Sequence, residues 1–298
     1  MEAKGDINND KGLSVARDAT VLVIDGLNLI RRVYAGVVAG PRASSANDAP
    51  PSIGTRAKSD DIDGFVESLR RSLVRAISDV DATHGLCVMD APGPTWRNAL
   101  HPEYKSKRPP MPQDLSDVLP KLEQLFVEQG VPWVSVVGME ADDVVASVAL
   151  KLRARPQTHV IVLSTDKSLF SLLAAGVRVR NHFDRLELSA ADVKARFGVE
   201  PQHILDWIAL VGDRSQDIPG VPGVGAKTAA TLINGYGTLE QMLAVALDAH
   251  GTSLDGTRMQ RCLVAGASDG RLSRQLVELR SDVETGINLR SCRIAQTA

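Results

Sequence analysis

The sequence predicts an α/β fold with a mainly parallel central sheet and helices on both faces. Short runs rich in β-branched residues alternate with stretches of helical period, the pattern of strands joined by helical crossovers. Acidic side chains follow four of these runs. Because ligands bind beyond the carboxyl ends of parallel strands, we expect these acids to meet at one edge of the sheet.

The acidic side chains predict a divalent-metal centre at that edge. They follow the runs 20–24, 86–89, 134–139 and 160–165. The acids are Asp25, Asp90, Glu140, Asp142, Asp143 and Asp166. Crowded carboxylates repel one another and need a compensating cation. Oxygen ligands without a neighbouring His or Cys suit Mg²⁺ or Mn²⁺.

The first part of the chain is expected to contain a leader and an α/β domain. Residues 1–18 are polar and charged and are expected to be a disordered leader. We expect the α/β domain over residues 19–190. Within it, residues 40–61 are rich in Pro, Ser and Gly and predict a flexible insertion, and residues 91–120 form a separate basic region.

Composition sets broad limits on the protein. At 298 residues and 44% hydrophobic content, the chain can bury one large core and a smaller module. A formal net charge of -2 neither requires nor excludes nucleic acid, because acids at a metal site cancel basic surface elsewhere. Cys87, Cys262 and Cys292 are far apart and odd in number, which favours reduced thiols. With no signal peptide or apolar span, we expect a cytoplasmic protein without membrane contact, acting as a monomer.

A glycine-rich segment predicts a phosphate-binding hairpin in the helical second part, residues 191–298. Residues 218–230 place glycines beside apolar residues and then start a helix, so we expect a helix-hairpin-helix at 210–234. Its backbone N–H groups would contact phosphate without reading bases. Lys227 would add a positive charge. The alternatives are an ordinary turn between packed helices and a solvated lysine.

The basic region contains a segment in which cations alternate with aromatic residues. Between Thr95 and Pro112 these residues are Trp96, Arg97, His101, Tyr104, Lys105, Lys107 and Arg108. Such a segment after an acid-bearing strand would place cations beside the substrate and offer a ring on which an unpaired base stacks. Taken alone the pattern is weak, because charged loops are commonly just solvated.

Five blocks in order resemble the bacterial 5′-nucleases, the flap endonucleases and the N-terminal 5′-3′ exonuclease domains of family-A DNA polymerases. The blocks are residues 25–32, 104–112, 140–143, 164–167 and 212–225. The details resemble most the Xni type, also called exonuclease IX. The resemblance implies a PIN-like fold with a helical arch over residues 91–120 and a three-turn form of the hairpin. It also implies Mg²⁺-dependent cleavage of DNA at 5′-flap junctions, in replication or repair, in the bacterial cytosol or nucleoid.

The resemblance also implies roles for particular residues. The implied metal ligands are Asp25, Asp90, Glu140, Asp142, Asp143, Asp166 and Asp213. Lys105 and Arg108 would contact the scissile phosphate, Tyr104 would stack on a base, and Arg32 would lie near the active site. The carbonyl groups of Leu210, Val211, Pro219, Val221 and Val224 would hold K⁺. DNA would contact Gly223, Val224, Gly225, Ala226, Lys227 and Thr228.

Two positions depart from the family pattern. Ser168 and Gln216 stand where fully equipped members have acids, so the second metal subsite loses two charged ligands. Asp217 offers a possible replacement ligand. The sequence therefore leaves three functions open: a flap endonuclease, a structure-specific DNA-binding protein with weak or no nuclease activity, and a small-molecule phosphohydrolase or RNA-processing nuclease.

Overall fold

The computed structural model describes residues 18–38, 59–248, 250–251 and 254–295. The predicted leader and most of the predicted insertion therefore lie outside the described residues. The last residues of that insertion, 59–61, belong instead to the start of a helix that runs on through the buried Phe65 and Leu69. The prediction of a loose insertion up to residue 61 was thus too long.

Within the described residues, the strands form one six-stranded sheet in the order β3-β2-β1-β4-β5-β6. The strands are β1 (Ala19–Asp25), β2 (His84–Val88), β3 (Trp133–Val134), β4 (Thr158–Leu163), β5 (Arg178–Asn181) and β6 (Leu186–Leu188). All neighbours are parallel except the edge pair β5 and β6. The predicted, mainly parallel sheet is confirmed.

Helices cover both faces of the sheet. The helices of the α/β part are α1 (Gly26–Val38), α2 (Ser59–Ser78), α3 (Trp96–Leu100), α4 (Gln113–Glu128) and α5 (Ala141–Arg153). In β1, Leu22 and Ile24 join the apolar cluster of α1, α2 and α4. Val21 and Val23 face the opposite cluster, which contains α5. This alternation follows from the period of two along a strand.

The rest of the chain is mainly helical, as predicted. The helices are α6 (Ala190–Phe197), α7 (Ile204–Val211), α8 (Ala226–Tyr236), α9 (Leu239–Leu247), α10 (Arg258–Ala265) and α11 (Ala267–Val277). Their buried residues belong to the same apolar cluster as α5. Phe197 joins the two parts, with its ring centroid 6.1 Å from that of Phe170 and 5.0 Å from that of Trp207. The core therefore runs continuously from the sheet into the helical part.

Two predicted boundaries were wrong. The predicted strand at 134–139 ends at Val134, because Gly138 adopts a left-handed φ of 79° and Val137 is 84% exposed rather than buried in the sheet. The predicted arch region at 91–120 is also too long. Residues from Gln113 onward belong to α4, whose Leu115 is buried in the core. Between α3 and α4 the chain forms turns, so the helical content of this region is confined to α3 and the start of α4.

No helix in the described parts of the chain has both the length and the apolar character that a bilayer crossing requires.

Candidate active site

The topology brings four acids to the carboxyl edge of the sheet. Strands β2, β1 and β4 are adjacent and parallel, so the residues that follow them lie side by side. Asp25 ends β1, Asp90 lies just past β2, and Asp166 lies just past β4. Asp142 joins them from the first turn of α5, where the helix dipole favours negative charge.

Hydrogen bonds fix the direction of these carboxylates. The Ser164 hydroxyl donates to Asp25 Oδ2 at 2.7 Å, and the Asn28 backbone N–H donates to Oδ1 at 3.2 Å. The Ala141 backbone N–H donates to Asp90 Oδ1 at 2.7 Å. The last bond ties the end of β2 to the start of α5. Both acids are therefore held by the local fold.

The acids at this edge carry more negative charge than their surroundings neutralise. Burial, together with the negative charges of Asp166 and Asp90, raises the pKa of Asp25 from 3.8 to about 7. Burial and the charges of Asp166 and Asp25 also raise the pKa of Asp142 well above its usual range. Each carboxylate thus responds to the others, which places them in one electrostatic cluster.

The chemistry of this cluster fits a hard divalent cation, because its donors are all oxygen atoms and its charge is uncompensated. Among the described residues, no three Asp, Glu, His or Cys side chains are already arranged to hold a metal ion. The carboxylates lie near enough to raise one another's pKa, although they are farther apart than the ligands of a bound metal ion. Asp25, Asp90, Asp142 and Asp166 form the candidate ligand set, and their binding of a metal ion stays a prediction.

Asp143, which the sequence placed among the metal ligands, pairs with Arg97 in the structure. Its side chain is fully buried and accepts two hydrogen bonds from Arg97, at 2.6 and 2.9 Å. It also accepts from Trp96 Nε1 at 3.0 Å and from the Arg280 backbone N–H at 3.0 Å. Although burial opposes ionisation, the Arg97 contacts hold the pKa of Asp143 below its usual range. Both carboxylate oxygens of Asp143 thus accept hydrogen bonds within this network, and the metal role that the sequence predicted for Asp143 stays a prediction.

Arg97 connects α3 to the end of α11. It donates to the carbonyl groups of Leu276 and Glu278, both at 2.7 Å, and is only 2% exposed. The Arg280 guanidinium lies 4.8 Å from the centre of the Trp96 ring. The sequence grouped Arg97 with substrate-facing cations, whereas the structure buries it as the partner of Asp143.

Glu140 is held by residues of the basic segment. The Tyr104 hydroxyl donates to Glu140 Oε2 at 3.0 Å, and Lys105 Nζ donates to Oε1 at 2.9 Å. Arg97 Nη1 lies 3.2 Å from Oε2. Tyr104 is only 3% exposed, so its ring has no free face for a base. The predicted stacking role was therefore wrong, and Tyr104 instead positions Glu140.

The arginine beside the acids is Arg31 and not Arg32. Arg32 is exposed and its guanidinium lies 5.4 Å from the centre of the Phe183 ring, away from the cluster. Burial and the positive charge of Arg108 lower the pKa of Arg31, while Asp90 opposes this shift. Within the described chain, Arg31 Nε is buried without a hydrogen-bond partner. Successive residues of a helix point about 100° apart, and the sequence pattern alone did not show which of the two neighbouring arginines faces the acids.

Ser168 and Gln216, which stand where other family members have acids of a second metal subsite, lie in the same cleft as Asp142 and Asp166. The cleft is lined by Asp142, Asp166, Lys167, Ser168, Asp213 and Gln216, among others. Asp213, a predicted metal ligand, accepts a bond from Lys167 Nζ at 2.8 Å. Asp217 does not replace the missing acids, because its carboxylate pairs with Lys107 at 2.9 Å.

The glycine-rich segment forms a tight hairpin between α7 and α8. Asp213 and Ile218 exchange two backbone hydrogen bonds, at 3.0 and 2.9 Å. Gly220 has a φ of 71°, and a Cβ there would lie 2.5 Å from the Gly212 nitrogen, so the turn requires glycine. The Val221 N–H donates to the Leu210 carbonyl at 2.8 Å, which closes the hairpin onto α7.

The tip of the hairpin exposes the start of α8. Gly223, Gly225, Ala226 and Lys227 are exposed and Thr228 is half-buried. Val224 is only 6% exposed, and its backbone N–H donates to the Val221 carbonyl at 3.0 Å, so its predicted contact with DNA stays a prediction. A Cβ on Gly225 would meet nothing within 4 Å, which leaves open space in front of the helix N-terminus.

The predicted K⁺ ligands are backbone carbonyl groups of this hairpin. The carbonyls of Leu210 and Val221 each accept a backbone hydrogen bond, at 2.8 and 3.0 Å. A carbonyl oxygen has two lone pairs, so these bonds leave capacity for a cation. Val211, Pro219 and Val224 complete the predicted set, and the K⁺ site stays a prediction.

Comparison with known proteins identifies two family models along the chain. Residues 20–198 match the 5′-3′ exonuclease N-terminal resolvase-like domain. Residues 199–298 match the 5′-3′ exonuclease C-terminal SAM fold. Together the two models account for almost the whole chain.

Similar proteins of known name extend this match. Flap endonuclease Xni of Shewanella loihica is 32% identical over 279 residues, covering 93% of this chain and 98% of that protein. Flap endonuclease Xni of Cronobacter sakazakii is 34% identical over 278 residues, covering 92% and 98%.

Solved structures show the same fold at low identity. T5 5′-exonuclease with bound zinc ions superposes with a TM-score of 0.69 at 21% identity, covering 87% of this chain and 89% of that one. The catalytic core of Rad2 in complex with DNA substrate gives a TM-score of 0.55 at 12% identity, covering 90% and 79%.

Proposed function

The chain belongs to the 5′-3′ exonuclease family, and on this premise we propose that it is a divalent-metal-dependent nuclease that hydrolyses DNA phosphodiesters at 5′-flap junctions. The observation that carries the proposal is the arrangement of four acids, Asp25, Asp90, Asp142 and Asp166, at the carboxyl edge of the sheet. Relatives that match over more than nine-tenths of the chain are named flap endonucleases.

Four acids of the cluster would hold the divalent ion, either Mg²⁺ or Mn²⁺. These are Asp25, Asp90, Asp142 and Asp166, which are fixed by β1, β2, α5 and β4. A bound divalent ion lowers the pKa of an attacking water and polarises the phosphoryl group. Glu140 lies at the edge of this set, with both oxygens engaged by Tyr104 and Lys105.

Cations of the basic segment would bind the scissile phosphate. Lys105 is held at the rim of the cleft by Glu140, with its side chain 21% exposed. Arg108 is exposed and close enough to Arg31 to lower the pKa of that guanidinium. Two guanidinium groups that repel each other in the free protein would both gain from a phosphate between them. Lys105, Arg108 and Arg31 thus supply positive charge opposite the acids.

The hairpin would hold the duplex beside the junction. Its open helix N-terminus at Gly225 and the exposed Lys227 suit a phosphate of the DNA backbone. Backbone contact would bind duplex without sequence preference, as a structure-specific nuclease requires. A K⁺ ion at the hairpin carbonyls would add to this grip. We further propose that the protein acts as a monomer in the bacterial cytoplasm.

The test is cleavage of a 5′-labelled flap, with fully paired duplex as the substrate control, in Mg²⁺ and K⁺. We expect cleavage at the junction, and we expect Asp142→Ala to abolish it while junction binding in Ca²⁺ is retained. The matched protein control is Asp248→Ala, which removes an exposed acid at the end of α9. Unchanged cleavage by Asp142→Ala would contradict the metal role of the cluster.

The same assay separates the second candidate function, a structure-specific DNA-binding protein with weak or no cleavage. The pairing of Lys167 with Asp213 favours this candidate, since it removes a charged ligand from the second metal subsite. Tight binding of the flap without cleavage in Mg²⁺ or Mn²⁺ would establish it in place of the nuclease.

A further inference from the structure

A carboxylate of the loop 213–218 holds a lysine of the basic segment at two points. The Lys107 ammonium group donates to Asp217 Oδ1 at 2.9 Å, and the Lys107 backbone N–H donates to Asp217 Oδ2 at 3.2 Å. The two residues are 110 positions apart in the sequence. Both donors of Lys107 therefore converge on one anionic group, which is the arrangement of an anion-binding site.

The loop and the basic segment also meet through their backbones. The Lys105 N–H donates to the Gln216 carbonyl at 3.1 Å. Lys105 and Asp217 have left-handed φ values of 56° and 54°, a conformation that few residues other than glycine adopt. Each side of the contact thus has an uncommon backbone conformation. This indicates a specific fit and not a chance approach of two surface charges.

The lysine of this pair is open to solvent, whereas the carboxylate is covered. The Lys107 side chain is 81% exposed and that of Asp217 is 7% exposed. Hydrogen bonds from Lys107 hold the pKa of Asp217 below its usual range, so the carboxylate is charged at neutral pH. An anion that approaches from solvent therefore meets Lys107 before it meets Asp217.

The two residues belong to the two segments that would contact DNA. Lys107 stands between Lys105 and Arg108, the cations proposed for the scissile phosphate. Asp217 lies in the loop at the base of the hairpin that would hold the duplex. A phosphodiester has two free oxygens that share one negative charge, as a carboxylate does. The Asp217 carboxylate therefore occupies the place that a backbone phosphate would take on Lys107.

We propose that Lys107 is a binding site for a backbone phosphate of the DNA, and that Asp217 fills this site in the free protein and competes with the DNA for it. This inference rests on the proposed function, because it adds one contact between the basic segment and flap DNA. It predicts that loss of the Asp217 charge strengthens DNA binding. A purely structural brace between the two segments predicts the opposite, because its loss would loosen the basic segment.

The first test compares flap binding by the unaltered protein and by Asp217→Asn, each checked for folding by circular dichroism. Binding is measured as the fluorescence anisotropy of a labelled 5′-flap in Ca²⁺ at low salt. Asp217→Asn keeps the size of the side chain but removes its charge. We expect it to bind the flap about 5-fold more tightly, the upper end of what one exposed ion pair contributes. Equal or weaker binding would overturn the proposal.

The matched control is Asp63→Asn, which removes the same charge from another exposed pair. Asp63 Oδ1 lies 3.0 Å from Lys121 Nζ, between α2 and α4. We expect Asp63→Asn to bind the flap as the unaltered protein does. If it gains as much affinity as Asp217→Asn, the effect comes from the net charge of the protein and the proposal fails.

A cycle with Lys107→Ala separates competition from plain repulsion between Asp217 and DNA. Lys107→Ala removes the ammonium group for which the carboxylate and the phosphate would compete. In that background, we expect Asp217→Asn to change the flap affinity by less than about 2-fold. An undiminished gain would show that Asp217 only repels the DNA, which contradicts the proposal.

The salt dependence of binding tests the phosphate contact itself, because each neutralised phosphate releases counterions. Within the Asp217→Asn background, Lys107→Ala should reduce the slope of log affinity against log salt by about 1 in magnitude. An unchanged slope would mean that Lys107 contacts no phosphate, and the proposal would be refuted.

These measurements also separate this inference from the proposed function. If Asp217→Asn binds the flap more tightly but neither protein cleaves it in Mg²⁺, the nuclease proposal fails and the inference stands. If both proteins cleave the flap and bind it equally, the nuclease proposal stands and the inference fails. If no variant binds the flap, both fail.

Discussion

Two neighbouring acids of α5 should have clearly different effects on stability when they are removed. Asp143 is fully buried and neutralises Arg97, which is 2% exposed. Asp143→Ala would leave that guanidinium buried without its partner, and breaking a buried ion pair from one side costs about 3–5 kcal/mol. Asp142 has instead a pKa raised by burial and by Asp166 and Asp25, so its charge opposes folding at neutral pH. Asp142→Ala should therefore leave the free energy of unfolding unchanged or increase it.

The comparison needs urea unfolding of the metal-free protein at pH 8, followed by circular dichroism. The two variants are matched controls for each other, because they remove the same side chain from adjacent positions of one helix. We expect a loss of about 3–5 kcal/mol for Asp143→Ala and none for Asp142→Ala. Equal losses in the two variants would refute the assignment of Asp143 to the Arg97 network.

Three further predictions concern pH, DNA binding and the position of Glu140. The folded-state pKa of Asp25 is about 7 against 3.8 when unfolded, so the folded state binds more protons between these values, and the Tm of the metal-free protein should fall as pH rises from about 4 to about 7. Asp25→Asn should flatten that fall, and an unchanged slope in a Tm series against pH would contradict the assignment. Gly225→Val should weaken duplex binding at least 10-fold in an anisotropy titration, because its side chain would fill the space before α8, whereas Gly235→Val in the same helix should bind normally. Tyr104→Phe should lower kcat/KM about 10-fold by removing one hydrogen bond to the charged Glu140, whereas a stacking role, which the phenyl ring would preserve, predicts no change.

Much of the architecture was predictable because it depends on local periodicity. The continuous apolar run of β1, which is buried on both faces, and the apolar period of α5 can be recognised directly in the sequence. The length of the strand after Pro132 could not be predicted from the sequence. The exposed Val137 is as apolar as a buried strand residue, and the sequence did not show that Gly138 forms a turn. Likewise the start of α4 inside the basic region depends on the burial of Leu115 against the sheet.

The sequence by itself determined the fold class, the family and the position of acids at strand ends, because periodicity, residue type and motif order are properties of the linear chain. Only the tertiary structure decided the partner of each charge. Asp143 and Asp142 are adjacent in sequence, yet one binds Arg97 and the other repels Asp166. Lys167 faces Asp213 across 46 positions of sequence. Charge pairing depends on side-chain direction and burial, and these are fixed only when distant segments pack together.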